Sequence, residues 1–160
     1  MATVYFLCGL ASSGKTTFAK KLEVENDAVR LTLDARMIAK YDYSIFDEAY
    51  GILAAKEKET MWEEAKVILD QGGEVVLDWS LWSRKSRIEW PQKVLAAGYD
   101  YLLIYLEVSL ETLRQRLLKR NAEAPPEVHI IRVEELERFS KIFEPPTAAE
   151  NLNLQVISVK

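Results

Sequence analysis

The segment Gly9-Leu10-Ala11-Ser12-Ser13-Gly14-Lys15-Thr16 constrains the fold more tightly than any other in the chain. It satisfies G-x-x-x-x-G-K-[ST], with the apolar run Thr3–Cys8 before it and a helical pattern after it. The two glycines let the backbone turn so that successive N–H groups aim at phosphate oxygens. The helix that follows adds the partial positive charge of its N-terminus. Lys15 is placed to reach the β- and γ-phosphates of a nucleotide, and the Thr16 hydroxyl to bind Mg²⁺. The predicted nucleotide-binding set is Gly9, Ala11, Ser12, Ser13, Gly14, Lys15, Thr16 and Thr17.

Such a loop needs a strand on one side and a helix on the other, and the remaining chain repeats that alternation. Strands are predicted over Thr3–Cys8, Val29–Leu33, Glu74–Asp78, Tyr101–Val108 and Leu154–Val159. Helices are predicted from Lys15 to Val24, from Asp34 towards Lys40, from Asp47 to Gln71 and from Arg84 to Ala97. Two more are expected from Ser109 to Asn121 and over Val133–Phe143. In the long helix, Met61, Ala65 and Ile68, flanked by Trp62 and Leu69, form the apolar stripe, and Lys56–Glu59 is expected to face water. A chain of 160 residues without repeats or a linker reads as one domain, α/β with a parallel sheet covered on both faces. Its ligands belong at the carboxyl ends of the strands.

The net charge of −4 argues against a protein that grips long nucleic acid through its phosphates. Basic groups at Arg84–Arg87 and Arg114–Arg120 instead suit a local cleft for a small anion such as ATP. Cys8 is the only cysteine, so a disulfide framework is excluded. Its apolar surroundings suit packing. No apolar stretch approaches membrane-spanning length and no leader pattern is evident, so a cytoplasmic protein without membrane contact is expected.

Several polar residues are predicted to meet at the mouth of the sheet. Asp34 has two compatible readings, a base for an acceptor hydroxyl or a helix N-cap. Asp78 closes Val75-Val76-Leu77, the form of a Walker B strand. It reads as a carboxylate that holds Mg²⁺ through water, as an acceptor contact, or as an exposed strand end. Arg116 and Arg120 stand four apart on one helix flank, either as a clamp on transferring phosphate or as a solvated face. Arg114 lies nearer the apolar stripe. Trp79 and Trp82, with Arg84 and Arg87 nearby, fit either an acceptor wall or core, while Trp90 fits packing. Cations in the opening turn of a helix oppose its dipole, and no carboxylate nearby in sequence compensates Arg87. Acceptor contact is therefore expected of Arg84 or Arg87. His129 reads as a surface residue of a lid over about 121–132.

The guanine-reading N-K-x-D is absent, and Asp70-Gln71-Gly72-Gly73 fits D-x-x-G only as a helix stop. A small kinase using ATP and Mg²⁺ remains. GLASSGKT, Asp34 after the second strand, VVLDWSLWSRKSR, ETLRQRLLKRN and ELERFSKIFEPP together resemble the AAA-type P-loop kinases. These are related to zeta toxins, chloramphenicol phosphotransferase and polynucleotide 5′-hydroxyl kinases. The resemblance runs from Val4 to about Pro146. It implies a five-stranded P-loop NTPase sheet ordered 2-3-1-4-5 with a small lid, and transfer from ATP to a hydroxyl. It also implies a base role for Asp34, lid roles for Arg116 and Arg120, and an adenine-side position for Asn121 and the Glu144–Thr147 turn. One departure is Met37, where relatives often carry an arginine; Arg36 comes one residue earlier and is the candidate acceptor-side substitute. The expected activity is phosphate transfer to a small hydroxyl compound such as a sugar, nucleoside, nucleotide sugar or antibiotic. An ATP-binding switch or slow ATPase and a nucleic-acid 5′-hydroxyl kinase are the alternatives.

Overall fold

The computed structural model describes residues 2–41, 49–123 and 130–159. Five parallel strands form one sheet: β1 (Thr3–Cys8), β2 (Ala28–Thr32), β3 (Glu74–Ser80), β4 (Asp100–Val108) and β5 (Leu154–Val159). Their order is β2-β3-β1-β4-β5, as the resemblance implied. The helices are α1 (Lys15–Asn26), α2 (Leu33–Lys40), α3 (Tyr50–Asp70), α4 (Arg84–Ala96), α5 (Leu110–Glu123) and α6 (Val133–Ile142). A short 3-10 turn, Ala148–Glu150, precedes β5. The predicted start of the long helix at Asp47 lies outside the described residues, as do His129 and the centre of the expected lid.

Strand alternation divides the core. Val4, Phe6 and Cys8 point to one face of β1, against Met61, Trp62, Ala65 and Val94 of α3 and α4. Tyr5 and Leu7 point to the other, against Ala19 and Leu22 of α1. Both faces of the central strand are dry, which is why its sequence is continuously apolar. Cys8 belongs to this packing. Its thiol donates to the Leu81 carbonyl at 3.3 Å, and burial pushes its pKa up to about 11. A third cluster, Leu113, Leu117, Ile131 and Leu136, joins α5 to α6.

Helix α3 ends where the glycines predict. The Gly73 N–H reaches the Ile68 carbonyl at 3.0 Å, and a Cβ at Gly73 would lie 2.8 Å from Ile68 Cγ2. Asp70, in the D-x-x-G match, bonds the Tyr99 hydroxyl and acts as part of that stop.

Strand β3 runs two residues past its predicted end at Asp78. Along β1 the pairing passes from Phe6–Leu77 directly to Leu7–Ser80, so Asp78 and Trp79 form a bulge opposite β1. On the other side Asp78 stays in register with Thr32 of β2. A bulge at this point turns the strand and re-aims its side chains beside the phosphate loop.

Candidate functional site

A cleft of about 1280 Å³ opens at the carboxyl ends of the strands. Its floor is the loop between β1 and α1. Gly9 has no room for a side chain: a Cβ there would lie 2.7 Å from Ser13 Oγ and 3.1 Å from the Leu106 carbonyl. Ser80, the last residue of β3, donates to the Gly9 carbonyl at 2.9 Å and accepts from the Gly9 N–H at 3.3 Å. The far strand thereby clamps the start of the loop. Ser12 and Gly14 both take positive φ, 69° and 99°, which curls the loop into the first turn of α1.

Lys15 folds back over this loop, donating to the carbonyls of Gly9 at 2.9 Å and Leu10 at 2.7 Å. Burial lowers its pKa to about 8, while Asp34 and Asp78 oppose the fall. Arg116 donates to the Ser13 carbonyl at 3.3 Å and lines the cleft. Arg120 also lines the cleft, and its Nε is buried without a hydrogen-bond partner. Burial lowers the Arg120 pKa and Asp34 raises it. The structure therefore brings Lys15, Asp34, Arg116 and Arg120 to one cavity. Asp34 lies in the first turn of α2, whose N-cap is Thr32, so its reading as the cap is corrected.

The sheet order gives the cleft two flanks about the loop. On the β4–β5 side stand Leu106, Ile157 and Arg116; on the β2–β3 side stand Thr32, Asp34, Asp78 and Trp79. Asp78 is buried and ion-paired to Arg30, with Nε and Nη2 each 2.7 Å from Oδ2. It is not an exposed strand end. Trp79 is buried at 6% exposure, packs edge-on against Trp90 at 5.0 Å, and leaves its Nε1 without a partner. Trp82 borders the cleft while packing on Phe139 at 5.0 Å. The pocket and core readings of Trp79 and Trp82 are thus compatible.

Five predicted site residues lie outside the cleft lining: Gly9, at the start of the loop, and Arg36, Arg84, Arg87 and Asn121. Arg87 is wholly buried, forks onto Glu150 at 2.7 and 3.4 Å, and donates to the Leu81 carbonyl at 3.0 Å. The compensating carboxylate comes from the turn before β5, while Glu89 of the same helix pairs with Lys85. Burial favours the neutral Glu150 carboxyl, but Arg87 and Thr147 hydrogen bonds outweigh it and lower the pKa. Arg87 is a scaffold residue, not an acceptor contact. Breaking a buried pair leaves one charge uncompensated, so Arg87→Ala should cost about 3–5 kcal/mol of stability. Urea denaturation checks this, and unchanged stability would refute the buried pair. Arg84 is exposed at the start of α4. Arg36 pairs with Glu64 and, at 3.5 Å, with Glu57 across α2 and α3. Asn121 donates to the Ile131 carbonyl at 2.6 Å, tying α5 to the approach to α6. Arg114 pairs with Glu111 and Glu137, away from the cleft.

Sequence reasoning missed Arg30, Tyr50, Lys58 and Ser80, all of which line the cleft. Within Lys56–Glu59, the expected water-facing stretch, Glu57 is buried and holds Lys40 at 2.9 Å, while Lys58 faces the cleft. An arginine between Val29 and Leu31 within β2 was the one available signal for Arg30. Tyr50 is held protonated by burial and by Asp34, which push its pKa above its ordinary value. Among the described residues no helix is long and apolar enough to cross a membrane.

Known proteins share this fold. The model of an AAA domain family, AAA_33, matches residues 4–146. A protein of Autographa californica nuclear polyhedrosis virus, assigned as a bifunctional polynucleotide kinase/RNA ligase, is 26% identical over 144 residues. The match covers 85% of this chain and 20% of that relative, so the chain spans about one fifth of the relative's length. Among solved structures, a protein of Chloroflexus aurantiacus assigned as a kinase superposes with a TM-score of 0.76 at 20% identity, covering 98% of this chain and 88% of that one. Kti12 of Chaetomium thermophilum, solved with ADP-AlF3, gives 0.71 at 16% identity, covering 97% and 88%. With the family model spanning nearly all of it, and the loop, sheet order and cleft in place, the chain belongs to the AAA domain family and has the P-loop kinase fold.

Proposed function

We propose that the protein transfers the γ-phosphate of ATP to a hydroxyl of a small molecule. The observation that carries this reading is the convergence of Asp34 with Lys15 and Arg120 in the cleft above the loop. A binding module needs the loop and its lysine, but not a carboxylate beside them. In the transfer, the acceptor oxygen attacks the γ-phosphorus in line and the bond to the β–γ bridging oxygen breaks. The acceptor proton passes to Asp34 Oδ, leaving ADP and a phosphate monoester. Lys15, Arg116 and Arg120 hold and neutralise the phosphates, and the wall of Trp79 and Trp82 excludes water.

The donor set fits a Mg²⁺ delivered with the nucleotide. Among the described residues no three acidic, His or Cys side chains group as a metal cage. The Thr16 hydroxyl and the Asp78 oxygen not engaged by Arg30 are the residues that would hold the ion, the sparse protein share usual for Mg²⁺ with phosphates. When bound, the ion would supply neutralisation of the nucleotide's phosphate charge.

The viral relative supports a second reading, transfer to a nucleic-acid 5′-hydroxyl. A panel of sugars, nucleosides and 5′-hydroxyl oligonucleotides with γ-labelled ATP separates the two, and labelling of the oligonucleotide alone would reject the small acceptor. ATP should bind more tightly than GTP by calorimetry, since no guanine-reading motif is present. Equal or tighter GTP binding would overturn the choice of nucleotide.

A further inference from the structure

The β2–β3 flank carries donors that the nucleotide reading leaves unused. Lys58, on α3, holds its ammonium 5.6 Å from the centre of the Trp79 ring. Burial lowers its pKa, and among the described residues it has no carboxylate partner. The acids beside it in sequence are taken: Glu57 by Lys40 and Arg36, Glu59 by Lys93. The Trp79 indole N–H, carried by the bulge of β3, is buried and makes no hydrogen bond. Both residues line the cleft. An ammonium over the ring face and a buried, unbonded N–H on the same indole favour a ligand group that only accepts, above all an anion.

The nucleotide's own phosphates have their cations at the loop, where Lys15, Arg116 and Arg120 line the cleft. Sheet order sets β3 on one side of β1 and β4 on the other, so a nucleotide stretched from the loop towards Leu106 and Ile157 leaves Trp79 and Lys58 to the second substrate. We propose that Lys58 and the Trp79 indole N–H form an anion-binding corner for a phosphate or carboxylate already carried by the hydroxyl acceptor. The acceptor class is then an anionic hydroxyl compound, such as a sugar phosphate or a sugar acid. This rests on the phosphotransferase reading, with the corner adding what lies beyond the reacting hydroxyl.

Two measurements test it. In the first, glucose, glucose 6-phosphate and gluconate are compared as acceptors for γ-labelled ATP, alongside 5′-hydroxyl oligonucleotides. Wild type should favour a charged acceptor by at least about 10-fold in kcat/KM, the scale of a charge-assisted hydrogen bond. Lys58→Gln should remove that preference mainly through KM, with the KM for ATP unchanged. Trp79→Phe, which keeps the ring and loses the N–H, should remove part of it. Selective use of neutral acceptors, or an unchanged preference in Lys58→Gln, overturns the corner while the phosphotransferase reading stands. Labelling of the oligonucleotide alone, insensitive to Lys58→Gln, overturns it too. In the second, inorganic phosphate is titrated by calorimetry into protein saturated with a non-hydrolysable ATP analogue, so that the loop is filled. Saturable binding lost in Lys58→Gln supports the corner even if no acceptor is labelled, in which case the transfer reading alone fails. Binding that is absent, or equal in both proteins, overturns the corner.

Discussion

Lys15→Met should lower transfer by about 10³-fold, the scale of losing one preorganised charge at a reacting phosphate. The ammonium lies over the loop, held by the Gly9 and Leu10 carbonyls, and it is the loop's own cation. Methionine fills similar volume without a charge to desolvate, so the fold should persist and the melting temperature should not fall. A variant that simply unfolds would leave no inference about phosphate contact, so circular dichroism accompanies the assay. The charge also predicts a pH signature. With a pKa lowered to about 8 by burial, the free lysine is largely protonated at pH 7 and largely neutral at pH 9. Phosphate binding requires the protonated form, so ATP affinity should fall as pH rises through 8, with proton uptake on binding. That slope should vanish in Lys15→Met. A wild-type affinity independent of pH between 7 and 9 would show that Lys15 does not meet the phosphates as an ammonium.

Asp34→Asn should reduce turnover by about 10²-fold or more while sparing the nucleotide. The amide keeps the size of the side chain but cannot take the acceptor proton. Since Thr32 and not Asp34 occupies the N-cap of α2, the substitution leaves the helix cap in place. One coupling needs care. Asp34 raises the Lys15 pKa against the effect of burial, so its removal lowers that pKa further. ATP affinity is therefore best compared at pH 6.5, where Lys15 remains protonated in both proteins. Unchanged turnover at that pH would remove Asp34 from the chemistry.

What was legible in the sequence followed from local pattern. Thr3–Cys8 and Leu154–Val159 are strands with the predicted bounds, and the phosphate loop lies where G-x-x-x-x-G-K-T requires. What was not legible depends on pairing between distant segments. Arg30 meets Asp78 because β2 and β3 run parallel in one register, a contact 48 residues apart in the chain. Arg87 finds Glu150 across 63 residues, and the local reading that left it uncompensated pointed to a ligand instead. Lys58 was hidden differently. In Lys56–Glu59 four consecutive charged residues read as one solvated face, yet a helix turns 100° per residue and sends them to different surroundings. Glu57 went inward to meet Lys40, and Lys58 to the cleft.

The bulge in β3 separates the wall of the cleft from the strand pairing that holds the loop. Pairing with β1 resumes beyond it, through Leu7–Ser80 and the Leu81 N–H on the Leu7 carbonyl at 3.0 Å. Ser80 keeps its grip on Gly9 whatever stands in the looped-out pair. Trp79 is therefore the position where the wall of the cleft can be reshaped with the sheet register and the phosphate loop left in place, whereas Asp78 is tied to Arg30. On the proposed reading, a change at Trp79 would alter the acceptor side of the cleft without disturbing the loop that would hold ATP.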